Sequence, residues 1–167
     1  MVKFTWHNEH VPTTLPVRQV YGVLFVPDGR ILLRREKGVY QLTGGKPEKW
    51  ESPDVVLKRE VSEEINCQID RVHYVGYQEV DDGEEKYAQL RFVALIKEIG
   101  PARADVDRPC WVYGRELVSV AHAKEYLPYG SIAEDLINDA LKVALANNLI
   151  SQQNLPDEVL NEEKLED

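Results

Sequence analysis

Cysteine, methionine and long hydrophobic stretches are all scarce in this chain of 167 residues. Its two cysteines, Cys67 and Cys110, cannot build a disulfide framework or, by themselves, a zinc site. His7, His10, His73 and His122 show no metal-ligand spacing. Apolar runs such as 23–26 and 92–96 fall far short of the roughly 20 residues a membrane helix needs, so no membrane partner is expected. Residues 1–5 lack the basic segment and apolar core of a secretory signal, and a reducing cytoplasm is the expected compartment. Basic residues are also in deficit, 20 Lys and Arg against 29 Asp and Glu, a net charge of -9. Affinity for nucleic acid rests largely on Lys and Arg, so no nucleic acid polymer is expected as partner, and a phosphate-bearing substrate would need a metal cation as mediator.

The length suits one domain with a sizeable core. No repeat of solenoid length and no Gly/Ser linker divides the chain, so residues 1–150 are read as a single domain and 151–167 as an acidic C-terminal tail. The tail is expected to be a mobile appendage or a weakly docked short helix. Residues 18–26, rich in Val, Tyr and Phe, precede Pro27-Asp28-Gly29 and Ile31-Leu32-Leu33, the pattern of a β-hairpin. Residues 40–43 suggest another short strand, and 68–80 with 86–98 flank Asp81-Asp82-Gly83 as a second hairpin. Two helices are predicted. One starts at an N-cap Ser52 with Pro53 at its first position and repeats apolar residues at Leu57, Val61 and Ile65. The other opens on the capping-box pattern Ser131-Ile132-Ala133-Glu134 and carries an apolar stripe toward Asn147-Asn148. The fold class is α+β, a mixed sheet with helices packed on it.

On the first helix, residues turn by about 100° each, which places Glu63 and Glu64 about 60° to one side and 40° to the other of Glu60. Three carboxylates therefore share one face, bordered by the apolar stripe that can anchor it to a sheet. Like charges at these spacings destabilise a helix by a few tenths of a kcal/mol each. Arg59 reaches Glu63 at the four-residue spacing, but one Arg cannot neutralise Glu60, Glu63 and Glu64 together with Glu48 and Glu51. A divalent cation would, and hard oxygen donors suit Mg²⁺ or Mn²⁺. A solvated acidic face is the plain alternative.

Sequence context decides between them. Gly44-Gly45 follows a strand and precedes the loop to this helix, where backbone can approach a metal or phosphate closely. From Gly45 the chain runs five residues to Glu51, seven more to Arg59-Glu60-Val61, one residue, then Glu63-Glu64. This resembles the signature of the Nudix hydrolase family, G-x5-E-x7-R-E-U-x-E-E-x-G-U with U aliphatic. A chance match over the whole chain has odds of roughly one in 10⁵ at this composition. Asn66 stands where the family has Gly and Cys67 where it has an aliphatic, and upstream Thr43 replaces a frequent Pro and Trp50 a frequent Gly. Asn is the next most tolerant residue for a left-handed helix end, so Asn66 reads as a conservative swap. The box covers residues 45–67, and the order of strands and helices extends the likeness over most of 17–149.

The resemblance implies an α/β/α sandwich and a Mg²⁺-dependent pyrophosphohydrolase, with Mn²⁺ an alternative metal, cleaving a nucleoside diphosphate linked to another group by water attack on phosphorus. Glu60, Glu63 and Glu64 are then the metal ligands, with the Gly44 carbonyl a further candidate, and Glu60 alternatively the general base. Arg59 would orient Glu60 or Glu63, and Glu51 would hold the loop or a second metal as an additional acid. Other candidate bases are Asp81, Asp82, Glu84 and Glu85 in the second hairpin turn, and Asp105 and Asp107 ahead of Trp111. Arg35, Gly45 and Lys46 are the candidate substrate contacts. Trp111, Tyr113, Tyr126 and Tyr129 are candidates for stacking on a base. The expected partner is a small nucleotide, with a homodimer left open. The rival reading is a Nudix module that binds or senses a nucleotide without turnover.

Overall fold

The structure, a computed structural model, describes residues 1–152 and 162–165. Its strands are β1 (Lys3–His7), β2 (Val17–Phe25), β3 (Ile31–Glu36), β4 (Val39–Gln41), β5 (Thr43–Gly45), β6 (Cys67–Asp81), β7 (Lys86–Ile99), β8 (Gly114–Val118) and β9 (Glu163–Lys164). Its helices are α1 (Pro53–Ile65), α2 (Val120–Tyr126) and α3 (Ser131–Ala146). Among the described residues one sheet runs β1-β6-β7-β2-β3-β8-β9, with β5 also on β2 and β4 also on β3. The β2–β7 pair is parallel and the other pairs are antiparallel, so the sheet is mixed.

Alternation along the central strands divides the core. Val20, Leu24 and Leu32 join Val56, Leu57, Val61 and Ile65 of α1 on one face. Val23, Phe25, Ile31 and Leu33 join Ala133, Leu136, Ile137 and Ala140 of α3 on the other. That is the expected helix–sheet–helix sandwich, produced by the period of two in strands meeting the helical stripe. Both hairpins and both predicted helices are present. The short strand expected at 40–43 is two pieces, β4 and β5, because Leu42 interrupts the pairing. Strands β1 and β8 and helix α2 are additions that short, weakly patterned segments did not announce. Helix α3 is capped at Gly130 rather than Ser131, with no side-chain capping bond, so the capping box is not realised.

The tail departs from expectation. Glu163 and Lys164 pair as a strand with Leu117 and Glu116, and the Leu165 N–H donates to the Arg115 carbonyl at 2.9 Å. Sheet edges recruit extended chain, and β8 was the free edge available. The rest of the tail expectation, 153–161 and 166–167, lies outside the described residues. Among the described residues no helix is long and apolar enough to cross a membrane.

The positioning of the box depends on where β2 and β3 part. They pair at Leu24–Leu32 and Phe25–Ile31. Beyond that point β5 takes over as the neighbour of β2, with Tyr21 opposite Gly44 and Val20 opposite Gly45. Helix α1 then ends at Asn66 with φ 48° and ψ 49°, the left-handed conformation anticipated for the family glycine. Its Nδ2 donates to the Pro101 carbonyl at 2.8 Å, a bond glycine could not make. Asn66→Ala should therefore cost about 1–2 kcal/mol in urea denaturation. Asn66→Gly, trading that bond for backbone ease, should stay within about 1 kcal/mol of the parent.

Candidate active site

Glycines make the first contact. A Cβ on Gly44 would collide with the Val20 carbonyl, and one on Gly45 with the Glu60 carboxylate, whose Cδ would lie 2.6 Å away. The bare backbone of β5 thus lets the acidic face of α1 settle directly on the sheet. Trp50, in the loop between them, has φ 71° and is 91% exposed. Trp50 thus adopts, at a position where the fuller family motif often has glycine, a left-handed backbone that side chains seldom take.

Arg59 organises the loop and the helix together. Its Nε and Nη2 donate to the two oxygens of Glu51 at 2.8 and 2.9 Å, and Nη2 also reaches the Lys46 carbonyl at 3.1 Å. Its Nη1 donates to Glu60 at 3.0 Å and Glu63 at 3.2 Å. These bonds hold the guanidinium well above its ordinary pKa, and the same fork depresses the Glu51 carboxyl. Glu64 faces the other way. It accepts from Arg34 Nη1 at 2.6 Å, and Arg34 in turn bonds Gln41 and lies 4.6 Å over the Tyr113 ring. One helical face is thereby divided between two arginines.

Two of the carboxylates are poorly compensated. Burial pushes Glu64 up to about 7 against the pull of Arg34, with Glu60 and Asp105 adding repulsion. Burial also raises Glu60, opposed by Arg59 and reinforced by Glu63 and Asp107. Asp105 and Asp107 are therefore within electrostatic reach of the box. Their loop is fixed by the Asp105 side chain accepting the Asp107 N–H at 3.0 Å and by the Arg108 backbone N–H donating to the Asp105 carbonyl at 3.1 Å. Asp81 and Asp82 instead accept the backbone N–H groups of Gly83, Glu84 and Glu85, and Glu85 pairs with Arg18 at 3.1 Å. Those acids close their own turn.

Among the described residues no three Asp, Glu, His or Cys side chains are grouped as a ready metal site, and the box carboxylates are instead engaged by Arg59 and Arg34. The donor chemistry nevertheless fits a hard divalent cation. Glu51, Glu60, Glu63 and Glu64 outnumber Arg34 and Arg59 on an oxygen-rich face, and burial disfavours the charged forms of Glu60 and Glu64 in the absence of a further cation.

Other expected contacts are distributed differently. Arg35 points toward Glu116, 3.5 Å away, and strand alternation turns Arg34 to the box and the adjoining cleft instead. Lys46 contributes its carbonyl to Arg59, and its side chain is exposed. Of the four aromatics, Tyr129 lines the cleft. Tyr113 and Trp111 stack under Arg108, and Tyr126 bonds Glu162 of the tail and meets Tyr40 edge-on. The cleft itself, about 530 Å³, was not anticipated. Tyr21, Arg34, Gln41, Gln78 and Arg91 line it, and a charged residue in the middle of apolar β7 was the available signal.

Glu51→Gln should lower the melting temperature at neutral pH by loosening the Arg59 fork. A depressed carboxyl contributes stability that is complete above its unfolded-state pKa and is lost as pH falls through its folded-state value. The gap between parent and variant should accordingly close in melting curves taken below the usual glutamate range. A gap that stays constant down to strongly acid pH would assign Glu51 a packing role alone.

Comparison with known proteins agrees with this geometry. The family profile described as NUDIX domain matches residues 15–133. No curated protein matches. Among solved structures, a mutant of the pyrophosphohydrolase BsRppH of Bacillus subtilis aligns with TM-score 0.53 at 23% identity, over 61% of this chain and 64% of that one. This chain thus spans somewhat less than two thirds of that protein's length. A MutT studied from Aliivibrio salmonicida and Vibrio cholerae gives 0.55 at 17% identity, over 72% and 94% of the two chains. The ORF135 protein of E. coli gives 0.58 at 20%, over 82% and 97%. With the profile covering well over half of its length, and the box helix seated on the Gly44-Gly45 strand, the chain belongs to the Nudix family.

Proposed function

We propose that the protein is a Mg²⁺-dependent pyrophosphohydrolase of a small nucleotide, cleaving a nucleoside diphosphate linked to a further group. The observation that carries this reading is the set of box carboxylates on one half-buried helical face, held in place and more numerous than the arginines that meet them. Glu60, Glu63 and Glu64 would hold the metal, with the Gly44 carbonyl beside them. Mg²⁺ or Mn²⁺, when bound there, supplies charge neutralisation of the phosphates and polarisation of the phosphoryl group. Phosphoryl transfer asks for positioning and charge more than for covalent help.

The chain's own residues supply the rest. Arg59 fixes the loop through Glu51 and the Lys46 carbonyl and sets the orientation of Glu60 and Glu63. Arg34 holds Glu64 and joins the box to the cleft that would receive the substrate. In the alternative assignment Glu60, pushed up by burial, would take a proton from water instead of holding the metal, and Asp107 is a second acceptor within electrostatic reach.

The test is a panel of nucleoside triphosphates, sugar nucleotides, ADP-ribose and dinucleotide polyphosphates, followed by phosphate or pyrophosphate release with Mg²⁺ or Mn²⁺. At least one substrate should turn over, and Glu63→Gln and Glu64→Gln should each lower kcat/KM by about two orders of magnitude. Binding of nucleotide without turnover across the whole panel would transfer the protein to the rival class of Nudix binding modules.

A further inference from the structure

The cleft beside the box has a charge character opposite to that of the chain. The protein carries a net charge of -9, yet no Asp or Glu lines this cleft, and two arginines do. Arg34 is already matched by Glu64. Among the described residues no carboxylate pairs with Arg91. It is 3% exposed, its Nη1 donates to the Leu90 carbonyl at 3.3 Å, and its Nη2 donates to Gln78 and Gln89 at 3.4 and 3.2 Å. These acceptors are neutral and the bonds are long, and the Arg91 Nε has no hydrogen-bond partner among the described residues. Its guanidinium also lies 4.8 Å over the Tyr21 ring, another wall of the cleft.

A buried charge without a counter-ion costs several kcal/mol, and replacing it by an apolar side chain would remove that cost. Its presence in mid-strand, in a cleft of about 530 Å³ lined by Tyr21 and Tyr129 and by amide side chains, therefore calls for a ligand. The cleft is large enough for more than a bare ion, and it begins where Arg34 leaves the box. We infer that this cleft receives an anionic group, a phosphomonoester or a carboxylate, carried by the part of the substrate beyond the scissile diphosphate, and that Arg91 is its buried counter-charge. The inference rests on the hydrolase reading for the word substrate. The anion site itself requires no turnover.

Two measurements separate the claims. In EDTA, inorganic phosphate, glucuronate and neutral glucose are titrated against the full chain while backbone amide signals are followed by NMR. Phosphate or glucuronate should shift Gln78, Gln89 and Arg91 saturably, glucose should not, and Arg91→Met should weaken the response about tenfold or more, with Arg91→Lys in between. Absence of a response to both anions in the parent protein overturns the inference whether or not the variants fold. An equal response in folded Arg91→Met overturns it as well. With Mg²⁺, hydrolysis of NADP⁺ is compared with NAD⁺, and of UDP-glucuronate with UDP-glucose. The anionic member of one pair should be preferred about tenfold or more in kcat/KM, which tells phosphate from carboxylate, and Arg91→Met should shrink that ratio toward one. Anion binding with no hydrolysis of these pairs or of any member of the nucleotide panel would remove the hydrolase reading and keep the anion site. Hydrolysis with equal rates within both pairs would keep the hydrolase and overturn the assignment of the cleft to an anionic group of the substrate.

Discussion

The guanidinium of Arg59 is the interaction on which the site depends. It bridges three carboxylates and a backbone carbonyl drawn from the loop and from α1, so loop shape and helix position are fixed by one planar group. A lysine would offer a point charge in place of this fork and could not serve Glu51 through two parallel bonds while also reaching Glu60 and Glu63. The acids that Arg59 gathers remain in excess over it, and that excess is the chemical resource of the site.

A second constraint is steric. Helix α1 can carry its charged face against the sheet because β5 offers two residues without side chains at that spot. The hydrophobic stripe of α1 supplies the adhesion on one flank, through Leu57, Val61 and Ile65, while the glycines supply closeness on the other. Rigidity and accessibility of the carboxylates thus come from neighbouring residues on a single helix, as the angular positions around its axis require.

Much of this was legible in the sequence because it depends on local spacing. The helical period placed the three glutamates, Asn66 announced its left-handed end, and Gly-containing turns marked both hairpins. The parts that were not legible depend on strand register. Whether Arg34 or Arg35 faces the box is a matter of one residue of alternation, and it is decided by the pairing of Arg34 with Gln41 and Arg115. Arg91 and Gln78 come from strands adjacent in the sheet but separated by a long hairpin, so no short motif could unite them. The pairing at residues 163–164 was not legible for a related reason. The tail's acidic composition describes a solvated segment, whereas the pairing of Glu163 and Lys164 is made by backbone groups that composition does not report.

That last pairing bears on how the molecule keeps to itself. Strand β8 would otherwise present a row of unpaired peptide groups at the margin of the sheet, the kind of border along which chains stick to one another. Two residues of β9, the Arg30–Glu163 ion pair at 3.4 Å and the docking of Leu165 on the α1 side of the core cover that border. A version shortened before residue 162 would leave the box residues in place and bare the backbone of β8 along that border.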